Sequence, residues 1–362
     1  MPASLPAGTH RLHALVEGRI QPAAITVDGA GRVAAIERVG HATGLDADAP
    51  VACPVPVDLH IHGGFGFSTH TAEGIAALAS RLAPLEFVAT LPLPGTAPRE
   101  LLAALPGLAA AADAAPTCRG LRIEGLFINP HQRGVWDVAG LAPCDPGLLR
   151  ELAAAAGRQL VIVDVAPELP GAIELVEVAG ELGITTAIAH TTADAATARR
   201  GFDAGIRLAT HTFNAMTPVH HRRPGAAVAA LLDDRVCCEL VADGQHLAPE
   251  TLLLALRASG SAGCALVSDA SPVAGTPAGT TMQWGPLELE RSEQGSRTAD
   301  GALAGGGMLL HEALAGPPAG VDAAAWLGAG TASGRRVLDP SAPDGLAVGD
   351  RAVLVEIARA RA

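Results

Sequence analysis

Short apolar runs alternate with longer alanine- and leucine-rich stretches through the middle of the chain. The runs occupy residues 55–62, 86–93, 120–128, 160–166, 185–190, 206–213, 236–242 and 264–268. Each is short, apolar and rich in β-formers, as expected of strands buried on both faces. The stretches between them have helical length; residues 72–83, 173–182 and 193–204 are the clearest. Strands separated by helices imply parallel βαβ units. Eight such units in roughly 220 residues imply a (β/α)8 barrel, with an open doubly wound sheet as the plainer alternative.

The ends of the chain have a different rhythm. Residues 24–27 and 33–37 flank Asp28-Gly-Ala-Gly-Arg32, a hairpin signal, and residues 345–350 and 352–357 again look β-like. The expected fold is therefore α/β: a distorted, TIM-like (β/α)8 barrel with a small β-sandwich domain built from both termini. The expected boundaries are 1–52 and 331–362 for the β-sandwich domain and 53–330 for the catalytic barrel. Residues 292–300 read as a polar loop, followed by a triple glycine, Gly305-Gly-Gly, that suggests a tight turn near a ligand.

Composition narrows the chemistry. All 25 basic residues of the 362 are arginine, and there is no tyrosine. A Schiff-base lysine, a Walker-type lysine, a carboxylated-lysine metal bridge and a tyrosine acid are all excluded. The net charge of -12 and the low aromatic content argue against nucleic acid. No run reaches the length of a membrane span, and the N-terminal residues lack the apolar core of a signal peptide. The 6 cysteines form no C-x-x-C pair, which suggests reduced thiols and a cytoplasmic setting.

Polar residues collect where the proposed strands end, the place where barrel enzymes build their sites. The first run ends in His60-Ile-His62, whose imidazoles share one strand face. The third carries Glu124, the fifth His190 and the sixth His211; His246 follows the seventh and Asp269 ends the eighth. A lone histidine at a strand end is more often structural, and Glu124 could be a core carboxylate paired with Arg122. The ensemble instead reads as a site for a divalent metal, with imidazole and carboxylate donors suited to zinc, iron or manganese. Such an ion activates water, a carboxylate placed like Asp269 can move the proton, and His246 could polarise a carbonyl.

The order H-x-H, Glu, His, His, Asp resembles the amidohydrolase superfamily. The closer resemblance is to the N-acetylglucosamine-6-phosphate deacetylases. It rests on Val57-Asp-Leu-His-Ile-His-Gly-Gly-Phe-Gly, Glu124-Gly-Leu-Phe-Ile-Asn-Pro, Ala189-His-Thr-Thr-Ala-Asp and Leu208-Ala-Thr-His-Thr-Phe-Asn-Ala-Met. It continues through His220-His-Arg-Arg-Pro-Gly, Ala242-Asp-Gly-Gln-His and Leu266-Val-Ser-Asp-Ala, so it covers nearly the whole chain. The resemblance implies hydrolysis of the acetamide of an amino-sugar phosphate by a cytoplasmic homodimer. Glu124, His190 and His211 would hold the principal ion, zinc or iron. His60 and His62 would hold a second ion if there are two, with Glu124 bridging. Asp269 would be general base and acid, and His246 would polarise the amide. Asn214, Ala215 and Arg222 would bind phosphate, with Arg222 reaching the neighbouring subunit's site, and Gly305 would line the pocket.

Several positions depart from the family's pattern. Arg122 stands where a histidine is common, Leu126 where a proline is, and Arg223 where a glutamate is. Trp136 occupies the position of a histidine that contacts the sugar. Trp136 cannot orient a hydroxyl as an imidazole does, but it could stack on a sugar face. The alternative readings are therefore a different N-acyl amino sugar or N-acyl compound, and a non-catalytic metal-binding relative.

Overall fold

The computed structural model describes residues 1–39, 49–293 and 295–357. The parts of the expected terminal β segments at 40–48 and 358–362 lie outside the described residues, as does Gln294.

All eight apolar runs form strands: Val57–Ile61, Glu86–Leu91, Cys118–Phe127, Leu160–Val165, Thr185–Ile188, Leu208–Ala209, Cys237–Val241 and Cys264–Val267. They pair in parallel, in chain order, in one eight-stranded sheet. A parallel bridge between Ile61 and Ala270 draws the last strand to the first. At that seam the amide of Asp269 donates to the His60 carbonyl and that of His62 to the Ala270 carbonyl, both at 2.9 Å. Closure of the barrel thus brings His60, His62 and Asp269 side by side.

The connecting helices form where the alternation predicts them. Ala72–Leu82 starts at Thr71, whose hydroxyl accepts from the Gly74 amide, and buries Ile75, Leu78 and Leu82. Asp145 and Asp194 cap Pro146–Ala156 and Ala195–Ala204 in the same way. Each such cap stabilises its helix by about 1 kcal/mol. Between helices and strands lies the main core, which includes Phe87, Phe127, Phe202 and Trp326. Inside the barrel, Val57, Leu59, Val88, Ile162, Ala187 and Leu208 form a smaller apolar plug.

Both termini build a second sheet, in the order Ala3–Ser4, Ala352–Val355, Val51–Pro54, Gly8–Val16, Arg19–Val27, Val33–Arg38. The hairpin at 28–32 turns through Asp28, whose carboxylate accepts from the amides of Ala30 and Arg32. No helix among the described residues is long and apolar enough to cross a membrane.

One expectation is corrected. Residues 292–300 do not form a simple polar loop. Leu287–Ser292 and Gly295–Thr298 pair antiparallel, and Thr281–Trp284 adds a third strand. The charged side chains disguise the alternation, because only one face of this small sheet is buried. Trp284 and Leu289 pack there on Val273 and Ala304.

Candidate metal centre and catalytic pocket

The ends of the barrel strands hold two groups of three close donors, His60–His62–Asp269 and Glu124–His190–His211, all buried. Glu124 joins them. Its Oε2 lies 3.0 Å from Nε2 of both His60 and His62, and its Oε1 lies 3.1 Å from Nε2 of both His190 and His211. Within each group the paired imidazoles approach to 3.2 Å through their Nε2 atoms. Oδ1 of Asp269 lies 3.3 Å from His60 and 3.4 Å from His62.

Donors aimed at common points from five strands, with no cysteine among them, suit a hard or borderline divalent cation. All four imidazoles turn Nε2 toward Glu124, the orientation that coordination through Nε2 requires. Burial pushes Glu124 and Asp269 upward, but the charge of His60 and the surrounding hydrogen bonds hold both well below the usual carboxylate range. Burial and Arg122 push His60 down, yet Glu124 and Asp269 hold it well above the usual imidazole value. The residues therefore fit a metal: an anionic bridge and a second carboxylate lie among four imidazoles.

The backbone is strained where these residues leave their strands. His190, His211, Ala215 and Asp269 have φ of 42°, 26°, 50° and 48°. Such left-handed conformations at residues other than glycine cost on the order of 1–3 kcal/mol each, and the surrounding structure must hold them in place. Part of the support is visible. Nδ1 of His190 lies 2.7 Å from the Gln132 carbonyl. The amide of Thr191 donates to Ala215. Behind Asp269 lies Gly305, where an added Cβ would stand 2.8 Å from the Asp269 carbonyl oxygen, and at Gly306 it would stand 2.2 Å from that of Ser268. The triple glycine is thus a close approach that a side chain would prevent.

A cavity of about 210 Å³ opens over the donors. Asp269 and His246 face it together with Asn214, Ala215 and Gly305. Burial lowers the basicity of His246, but Asp243 and Asp269 overcome this and raise its pKa to about 9.

Trp136 is buried yet lines the cavity. Its ring lies against Gly125, where an added Cβ would sit 2.5 Å from it. Trp284 completes an aromatic wall, with ring centres 6.4 Å from Trp136 and 5.3 Å from His62. Trp284 was missed in the sequence: it arrives on Thr281–Trp284, a short strand whose burial pattern gives no clear alternation. Asp243 was missed too; the signal was its place three residues before His246.

Neither Arg122 nor Arg222 lines this cavity. Arg122 does not pair with Glu124; its guanidinium forks onto Asp164 at 3.1 Å and reaches Glu239 at 2.5 Å. Asp164 comes from the adjacent strand Leu160–Val165, whereas Glu239, on Cys237–Val241, meets Arg122 across the barrel interior. Arg222 does not line the cavity of its own chain. It lies beside a separate hollow with His220 and Arg223, with its Nη1 2.9 Å from Nε2 of His221. Met216 is buried in the core.

No protein-family model matches the chain. It is 31% identical over 297 residues to the N-acetylglucosamine-6-phosphate deacetylase of Bacillus subtilis, covering 79% of this chain and 75% of that protein. It is 30% identical over 290 residues to the N-acetylgalactosamine-6-phosphate deacetylase of Escherichia coli O157:H7, covering 78% and 76%. Among solved structures, a Mycobacterium smegmatis N-acetyl-D-glucosamine-6-phosphate deacetylase in complex with N-acetyl-D-glucosamine-6-phosphate superposes with a TM-score of 0.86. That pair is 27% identical and covers 98% of this chain and 95% of the other.

Proposed function

Because the chain belongs to the N-acetylglucosamine-6-phosphate deacetylase family of metal-dependent amide hydrolases, we propose that it hydrolyses N-acetylglucosamine-6-phosphate to glucosamine-6-phosphate and acetate. The observation that carries this reading is Glu124 joining two sets of donors beneath a cavity that Asp269 and His246 also face. Glu124, His190 and His211 would hold one divalent ion, and His60, His62 and Asp269 a second, with zinc or iron the best match to the donors. When bound, such an ion supplies Lewis-acid polarisation of the amide and lowers the pKa of water in its shell.

The chain's own groups do the rest. Asp269 is ionised and accepts the proton of the attacking water; it then returns that proton to the nitrogen of the departing amine. His246, protonated between Asp243 and Asp269, donates a hydrogen bond to the carbonyl oxygen as negative charge develops there. Trp136 and Trp284 exclude water from one side of the cavity and offer an apolar face to substrate. The Asn214-Ala215 turn, and Arg222 from the other subunit of a homodimer, would take the phosphate. The unpaired cysteines agree with a cytoplasmic enzyme.

A second reading is favoured by Trp136 in place of the family's sugar-contacting histidine and by the similarity to the N-acetylgalactosamine-6-phosphate enzyme. Acetate release should be measured with both sugar phosphates and with N-acetylglucosamine lacking phosphate. Faster turnover of the galactose epimer would select the second reading. Equal turnover without phosphate would remove the role given to Arg222.

A further inference from the structure

Beneath the donors, the barrel holds a closed polar cluster that the proposed reaction does not use. Arg122, Asp164 and Glu239 are completely buried there. Nε and Nη2 of Arg122 each donate to Asp164 at 3.1 Å, and Nη2 also donates to the Thr210 hydroxyl at 2.9 Å. Nη1 donates to Oε1 of Glu239 at 2.5 Å and to the Leu59 carbonyl at 3.2 Å. The other oxygen of Glu239, Oε2, lies 3.3 Å from Nδ1 of His60 and accepts from the His211 amide at 3.3 Å.

Glu239 therefore faces two ways. Arg122 fixes one oxygen, and the other fixes the ring of His60 from behind. The two donor groups differ in how they are held. The His60 group leans on a side-chain carboxylate, whereas His190 leans on the backbone carbonyl of Gln132. A carboxylate behind a ligating imidazole selects the tautomer with Nε2 free, fixes the ring plane and makes the ligand more basic. An arginine that saturates the opposite oxygen keeps the carboxylate from turning away.

Resting on the two-ion reading above, we infer that Glu239, braced by Arg122, is the positioning residue for the ion at His60, His62 and Asp269, whose ligand ring it holds, while at the ion of Glu124, His190 and His211 it meets only the main-chain amide of His211 and no ligating ring. The side chain touches neither substrate nor the reacting atoms; it acts through the His60 ring.

The test is titration of metal-free protein with Co²⁺, followed by calorimetry and visible absorption, on wild type, Glu239→Gln and Thr210→Val. Wild type should take two equivalents. Glu239→Gln should lose about 10- to 100-fold in affinity for one equivalent only and change its visible band. Thr210→Val, which removes a contact to Arg122 but none to Glu239, should melt lower and bind both equivalents as wild type does. A folded Glu239→Gln protein that binds both like wild type overturns the inference and leaves the deacetylase reading standing. A wild type that takes a single equivalent does the same. A wild type that takes none overturns the metal reading itself. If Glu239→Gln does not fold, Glu239→Asp carries the test with the same outcomes, since it keeps the charge beside Arg122 but falls one methylene short of His60.

Discussion

Nε2 of His246 stands 3.4 Å from Oδ2 of Asp269, while Nδ1 of the same ring stands 2.9 Å from Oδ2 of Asp243. The imidazole is held between two carboxylates and keeps its proton at neutral pH. This separates two roles that histidine and aspartate could otherwise exchange. In the proposed reaction His246 would be the donor, and Asp269 would be left as the acceptor.

Replacing Asp269 with Asn should abolish measurable turnover while the protein still binds metal through Glu124, His190 and His211. His246→Asn should lower kcat by roughly 10²–10³, with a smaller effect on KM, because the hydrogen bond it donates strengthens as charge develops on the oxygen. Steady-state kinetics with metal analysis of each variant checks both. Near-normal turnover by Asp269→Asn would sink the mechanism.

Removal of metal with a strong chelator should abolish activity, and added Zn²⁺ or Fe²⁺ should restore it. The metal-free protein should also melt at lower temperature. An ion present at 100 times its Kd stabilises the folded state by about 2.7 kcal/mol. Differential scanning calorimetry with and without chelator reads the shift; identical melting curves would contradict a bound ion.

Trp136→His should shift the balance between sugar phosphates more than it changes the reaction itself. A neutral imidazole can donate to or accept from a hydroxyl, whereas the indole N–H can only donate. The ratio of kcat/KM for the glucose and galactose epimers is the measurement. An unchanged ratio would show that Trp136 contacts neither sugar. Trp136 also packs on Gly125, where an added Cβ would sit 2.5 Å from the ring. Gly125→Ala should therefore displace the ring and destabilise the fold by about 1–3 kcal/mol, read by urea unfolding.

Thiol chemistry should be nearly silent in the folded protein. Burial pushes Cys53 and Cys144 up to about 12, and Cys118 and Cys264 up to about 11. Cys237 is the one cysteine of the 6 that is not fully buried. A disulfide reagent at pH 8 should label no more than this one without denaturant and all six with it. Rapid labelling of several thiols in the folded state would contradict the burial.

The barrel was legible in the sequence because its signal is local. Eight apolar runs spaced by helices leave few other ways to bury both faces of each strand. The clustering of the candidate donors was legible for the same reason, since barrel sites form where strands end, and His60, His62, Glu124, His190, His211 and Asp269 come together at those ends. The absence of lysine and tyrosine, read from composition alone, left arginine, histidine and carboxylates to do the charged chemistry. Tertiary structure decided what depends on distance between strands. Arg122 and Glu124 share a strand face two residues apart, yet Arg122 turns to Asp164 and Glu239 on other strands. Trp284 reaches the cavity from a sheet whose single buried face left too weak an alternation to read. Alternation says which side of a strand a residue faces, but only closure of the barrel sets which carboxylate meets which cation across the interior.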